Sequence, residues 1–368
     1  MPQTLFIGLM SGTSTDGVDA VLADFSRPGR PAILAAASLP MPASLREEFL
    51  ALNIPGADEL ARAALAGNAL AELYASAAQS VLAQAAAGPA QVCAIGAHGQ
   101  TVRHDPAAGY TIQINAAALL AERSGIDVIA DFRSRDVAAG GQGAPLVPAF
   151  HHAMFANGRA RAILNLGGIA NVTLLGPAGE IRGFDTGPAN VLLDLWVQAK
   201  TGHAYDAGGR WAGAGHANAG LLEFLLDSEP WFERAPPKST GRDLFNWEWL
   251  TRRLAAFNGE ALADSDIQAT LQQLTAVTVA RAIARHAPDT EDVLVCGGGA
   301  LNGGLMRELQ DAMPCPVSPT SAANVPVQLV EALAFAWLAW AHIHGHRAGL
   351  PDVTGARHAT ILGCRYPA

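Results

Sequence analysis

The 368-residue chain is poor in charge: 15% of its residues are Asp, Glu, Lys or Arg, against 50% hydrophobic. That balance excludes a disordered chain and provides for a sizeable core. Basic residues are scarcest, with 24 Lys+Arg facing 33 Asp+Glu and a formal net charge of −9. A nucleic-acid partner needs a basic face to neutralise phosphates, and none is visible. A small anionic ligand is not excluded, because backbone N–H groups can hold one locally. Cysteine is scarce too. Cys93, Cys296, Cys315 and Cys364 lie far apart without a CxxC pair. This argues against a zinc site or a disulfide framework and predicts a reducing compartment. The opening MPQTLFIGLMSGTS has neither a basic start nor a long apolar stretch. The apolar run 327–343 (VQLVEALAFAWLAWAHI) is slightly short for a membrane span and encloses Glu331. Both features predict a soluble, cytoplasmic protein in which that run is a buried helix. GxxxxGK(S/T) and HExxH are missing, and Gly297–Asn302 only approximates GxGxxG, with no acidic residue about 20 positions on at a strand end. A P-loop, a zincin site and a dinucleotide fold are therefore disfavoured.

What is present is a recurring unit. Residues 5–10 (LFIGLM) and 18–25 (VDAVLADF) read as two strands joined by the turn Ser11–Gly17. The pattern returns at 162–166 and 169–175, joined by Gly167-Gly168, and suggests an internal duplication. Residues 59–87 carry apolar side chains at helical spacing up to Gly88-Pro89. Strands are expected at 92–97, 127–130, 181–184 and 292–296, with helices opening at Pro188 and running over 267–287. Strands alternating with helices define an α/β fold. At this length two domains are expected: 1–135 with about 328–368, and 136–327.

Three Gly-rich turns, 11–17, 167–168 and 297–304, each follow an apolar strand. Such turns let several N–H donors converge on a phosphate without obstruction by Cβ atoms; taken singly, each is also an ordinary tight turn. Asp185 ends a strand where α/β sheets place ligands, and it would serve as a general base; helix N-capping is the other reading. Asp16 and Asp19 suit the waters of a Mg2+ ion, or local Asx turns. His98 and Gln100 leave one strand end, Asp131 and Arg133 another. Arg133 would grip a carboxylate in bidentate fashion, or pair with Asp131 or Asp136. His151-His152 and His342, His344 and His346 read as structural.

Longer segments are more specific. GLMSGTSTDGVDAVL (8–22), GAHGQTVRH (96–104), IADFRSRDVAAGGQGAPLVP (129–148), LNLGGIANVT (164–173), GFDTGPAN (183–190), CGGGALN (296–302) and PDVTGARHATIL (351–362) occur in an order that resembles the anhydro-N-acetylmuramic acid kinases. Thr15 departs from the Leu usual in that family's GTSLDG. The resemblance implies the actin/hexokinase/Hsp70 fold, two lobes on a duplicated ribonuclease H-like sheet with ATP in the cleft between them. It implies that Gly12, Thr13, Ser14, Thr15, Asp16, Gly17, Val18 and Asp19 form the ATP phosphate loop, Gly167 and Gly168 the second phosphate hairpin, and Gly297, Gly298, Gly299 and Asn302 the adenosine turn. Asp185 becomes the catalytic base. His98, Gln100, Asp131 and Arg133 face the sugar, with Arg133 on its lactyl carboxylate. Asp16, Asp19 and Glu331 are the candidates for positioning Mg2+. The implied reaction opens the anhydro bridge with water and phosphorylates the sugar, in a homodimer in which Trp231-Phe232 and Trp247/Trp249 are contact or core residues. An ordinary sugar kinase, or a non-enzymatic ATP-driven switch, are the other readings of the same fold.

Overall fold

A computed structural model of the chain describes residues 3–12 and 15–368. The chain divides into two units, Met1–Met154 with Leu329–Ala368, and Phe155–Gln328.

In the first unit, β1 (Leu5–Met10) pairs antiparallel with β2 (Gly17–Asp24), which pairs antiparallel with β3 (Ala32–Pro40). On its other side β1 lies parallel to β4 (Val92–Ala97). A small hairpin of β5 (Gln100–Asp105) and β6 (Tyr110–Ile114) stands apart from this sheet. β7 (Val128–Ala130) runs parallel to β4, and the last strand, Cys364–Tyr366, closes that edge antiparallel to β7. The apolar sequence of β1 follows from its central place, covered on both faces. Helix Glu59–Gln84 buries Leu70, Tyr74 and Val81 in the core beside Ile7, Leu9 and Ile95. Helix Val330–Ile343 comes so close that a Cβ at Gly8 would sit 1.8 Å from Ala332 O and one at Gly96 2.0 Å from Phe335 O. Gly8 and Gly96 are register partners, so these two glycines form the shallow floor on which the helix rests. The apolar run around Glu331 is thus a buried helix, and no helix among the described residues is long and apolar enough to cross a membrane.

The second unit repeats the plan. β8 (Arg161–Leu166), β9 (Ile169–Leu175) and β10 (Ile181–Pro188) form an antiparallel meander, with β11 (Asp292–Cys296) parallel to β8 and β12 (Val317–Pro319) parallel to β11. The order β10-β9-β8-β11-β12 matches β3-β2-β1-β4-β7 in both sequence and sense, a duplicated ribonuclease H-like sheet. Helices Asp264–His286 and Gly303–Ala312 cover one core, and a second core gathers Trp196, Trp231, Phe245 and Trp249.

Two expectations change. The unit break falls at Met154/Phe155 rather than at 135/136. Segment 136–154 stays with the first unit because buried Asp136 accepts from Thr354 Oγ1 at 2.7 Å and from the Gly143 amide at 2.7 Å. β10 continues through Pro188 instead of stopping at Phe184, and the next helix begins at Asn190, capped at Ala189. Asp185 is therefore a strand residue and not a helix cap. Trp231 and Trp249 are core residues.

Candidate active site

In the first unit, the turn after β1 and the turn after β4 are tied together. Gln100 bonds Ser11 Oγ and donates from Nε2 to Gly12 O at 3.1 Å. His98 Nδ1 lies 3.1 Å from Ser11 O, and its Nε2 is 3.0 Å from Arg133 Nη2 and 3.3 Å from Nε. A guanidinium can only donate, so Nε2 is the acceptor and Nδ1 carries the hydrogen given to Ser11 O. His98 is thereby held neutral; burial, then the Arg133 charge, lower its pKa to about 3. Arg133 gives a further bond from Nη1 to Gly143 O at 2.9 Å. Burial lowers its pKa to about 10, against the pull of Glu331 and Asp136. Tyr74, fully buried, accepts the Gly99 amide at 3.1 Å and anchors the turn from below.

Two carboxylates share this region. Burial raises the Glu331 carboxyl, and Arg133 opposes the rise while Asp19 adds to it. Asp19, half-buried, is raised by burial and partly restored by its bond from Ser38. Asp16 is exposed and lies 3.7 Å from Arg46. Asp131 is exposed, has a φ of 56° and accepts from Ser134 Oγ at 2.5 Å. Thr15 is buried with a φ of 55°, a conformation that costs a β-branched residue. Gly12 O accepts the Thr15 amide at 3.1 Å. Gly17 is packed against Leu39 O, and Val18 is wholly buried, so its contribution is backbone. Thr13 and Ser14 lie outside the described residues.

In the second unit, Asp185 stands at an irregularity in β10, where the register with β9 shifts between Asp185 and Gly187. Its Oδ2 accepts the Thr240 amide at 2.9 Å and its own amide donates to Lys238 O at 3.1 Å. Burial raises its pKa to about 6, with the Thr240 bond and the Lys238 charge opposing. The strip Lys238–Thr240 thus clamps the carboxylate at two points. Sequence reasoning passed over it, although the Lys-Ser-Thr-Gly run at 238–241 resembles the other Gly/Ser/Thr turns.

The hairpin Gly167-Gly168 faces a helix start: its carbonyls accept the amides of Ala189, Asn190 and Val191, each at 3.0 Å. A Cβ on Gly168 would meet nothing nearer than 3.8 Å, so packing does not explain that glycine. Gly297 differs. Its φ is 82°, and a Cβ would sit 2.4 Å from Asn165 Oδ1. Gly299 is pressed on Leu166, whereas Gly298 has open space beside it. Asn302 caps helix Gly303–Ala312 by accepting from Leu305 N at 3.0 Å, and its amide donates to Gln272 Oε1 at 3.1 Å.

The structure thus brings His98, Gln100 and Arg133 into one bonded group, with Asp19 and Glu331 in electrostatic reach of one another. Asp131 and Asp16 stand exposed beside it. A carboxylate in a half-buried position with a pKa of about 6, on a ribonuclease H-like sheet with Gly hairpins, has the features of a phosphotransferase acting on an alcohol.

The comparisons narrow the class. The family model for anhydro-N-acetylmuramic acid kinase matches residues 4–368. Anhydro-N-acetylmuramic acid kinase of Bordetella parapertussis is 66% identical over 368 residues, covering 100% of this chain and 97% of that protein. The enzyme of the same name from Variovorax paradoxus is 54% identical over 379 residues, with 100% of both chains covered. Among solved structures, the activator of 2-hydroxyisocaproyl-CoA dehydratase from Clostridium difficile with bound ADPNP is similar at a TM-score of 0.47 and 13% identity, covering 93% of this chain and 96% of that one. The chain belongs to the anhydro-N-acetylmuramic acid kinase family, and it is a kinase of cell-wall recycling.

Proposed function

We propose that the enzyme opens the 1,6-anhydro bridge of 1,6-anhydro-N-acetylmuramic acid with water and phosphorylates O6, giving N-acetylmuramic acid 6-phosphate and ADP. The observation that carries this reading is Asp185, a base poised at about pH 6 by burial and fixed by the Thr240 amide. It takes a proton from water as that water attacks the anomeric carbon. The bond from this carbon to O6 breaks, and O6 attacks the γ-phosphorus while ADP leaves. Backbone donors of Gly12–Asp19 and Gly167-Gly168 receive the charge on the phosphates, and Gly297–Gly299 with Asn302 shape the adenosine turn. Asp131 and Arg133 face the sugar, while buried His98 and Gln100, whose polar atoms are engaged by Ser11, Gly12 and Arg133, position them from behind. Arg133 keeps N–H donors on both Nη atoms beyond its bonds to His98 and Gly143 and takes the lactyl carboxylate.

The oxygen donors fit Mg2+. Asp19 and Glu331 are hard carboxylates, each raised by burial, and Asp19 raises Glu331 further; a dication relieves that cost. Asp19 and Glu331, with Asp16, would be the residues to hold the ion. When bound, Mg2+ neutralises phosphate charge. A cytoplasmic homodimer completes the proposal.

The test is incubation with MgATP and the anhydro sugar in 18O-labelled water. One phosphate and one labelled oxygen at the anomeric carbon are expected, both absent with Asp185→Asn. Phosphate without label makes the enzyme an ordinary sugar kinase, and ATP turnover without a sugar product makes it a switch.

A further inference from the structure

A cavity of about 530 Å3 lies within the second unit, between β10, helix Asp264–His286 and the segment 226–238. Thr186 and Lys238 line it, and Asp185 is not among its lining residues. Its volume suits a sugar-sized molecule rather than a lone ion. Leu226, Phe232 and Ala282 give it an apolar wall.

The charges around it are unevenly matched. Glu229 is spent, accepting from Trp231 N, Trp249 Nε1 and Arg253 Nη2. Glu233 is paired with Arg285 at 3.0 Å. That leaves Asp227 as the one lining carboxylate not so engaged, against Lys238 and Arg281. Among the described residues Arg281 makes no ion pair or side-chain hydrogen bond. Lys238 Nζ has only Phe232 O, at 2.9 Å, and the face of Trp231, 4.3 Å from its centroid. Arg285 and His286 close a helix whose C-terminal dipole favours cations anyway. Lys238 also acts electrostatically on Asp185 and Glu233, whereas Arg281 has no such partner among the described residues. The local field is positive: Arg285, Lys238 and Arg182, after burial, all hold His286 below the usual histidine range.

We infer that this cavity is a binding site for a phosphate monoester of a small polar molecule, gripped by Arg281 and Lys238 and separate from the nucleotide site. A guanidinium fork from helix Asp264–His286 and an ammonium from the segment 226–238 match a tetrahedral dianion, and Leu226, Phe232 and Ala282 take the carbon skeleton.

Calorimetric titration of the whole enzyme with glucose 6-phosphate, in saturating ADP to occupy the nucleotide phosphate loops, tests this. Saturable binding is expected, weakened about tenfold or more by Arg281→Ala while kcat with the anhydro sugar is unchanged. Arg281→Lys should restore part of the affinity. The absence of binding, the same affinity in Arg281→Ala, or acetate binding as tightly as the monoester would each overturn the inference. Because the readout is heat of binding, failure of the proposed reaction would leave this result standing, and the reverse also holds.

Discussion

At the scale of single residues the proposed reaction turns on Asp185. Its folded pKa of about 6 lies above the ordinary 3.8. The base works only when ionised, so kcat/KM should fall as pH drops through about 6, with the plateau above it; a profile flat down to pH 5 would remove Asp185 from this role. The same shift has the opposite sign for stability. The folded state holds the proton more tightly, so the group favours folding at low pH, and that contribution is lost as pH rises through the folded value. Asp185→Asn, which cannot ionise, should therefore melt higher than wild type at pH 8, by an amount worth up to about 3 kcal/mol, and the gap should close near pH 4. Activity should fall by at least about a hundredfold in the same variant. Arg133→Ala should raise the KM for the sugar about tenfold with ATP affinity kept, because a charge-assisted bidentate contact is lost. An unchanged KM removes Arg133 from the sugar. The candidate base was legible in the sequence because Asp follows an apolar strand and precedes Gly-Pro. Its clamp was not: Lys238 and Thr240 are more than 50 positions away, and only the chain's return along the edge of β10 brings them there.

At the scale of elements, sequence patterning located what is periodic and missed what depends on long-range pairing. The two Gly hairpins and the helix beginning at Glu59 were legible, since alternation and helical spacing are local signals. β3, β12 and the terminal strand Cys364–Tyr366 were not, being edge strands without a two-sided apolar signature, the last of them paired to β7 more than 200 residues earlier. Pro188 was read as opening a helix from its composition, but ladder contacts with Ile169 keep it in β10. Gly96 makes the clearest element-scale prediction. Helix Val330–Ile343 rests on it with Phe335 O 2.0 Å from the site of a Cβ, and backbone cannot yield as a side-chain tip does. Gly96→Val must push the helix off β4 and displace Glu331 with it. A loss of about 3 kcal/mol or more is expected, read as a fall in melting temperature. A variant melting within a degree of wild type would mean that the helix seat is more compliant than this contact implies.

For the whole molecule, the second sheet repeats the first, each with a Gly turn between its first two strands, and on the proposed reading the backbone amides of those turns take the phosphates, so an acidic chain needs no net positive charge. The duplication is imperfect in one respect. The second unit is continuous, Phe155–Gln328, whereas the first is closed by Leu329–Ala368, returning from the far end of the sequence. Those last residues supply Leu333, Phe335, Trp337 and Leu338, all essentially inaccessible, together with the strand that covers the edge of β7. Each such side chain contributes about 1.5–3 kcal/mol by burial, so their joint loss rivals the entire stability of a typical domain. A chain ending at Gln328 should therefore lose its first unit while the second, with both of its cores complete, stays folded. Limited proteolysis followed by mass spectrometry reads this directly. A resistant fragment spanning 155–328, with residues 3–154 digested, is the expected result. Protection of 3–154 as well would show that β1–β7 and helix Glu59–Gln84 hold a sheet without its covering helix, and would place the weight of the first unit's stability on that one face.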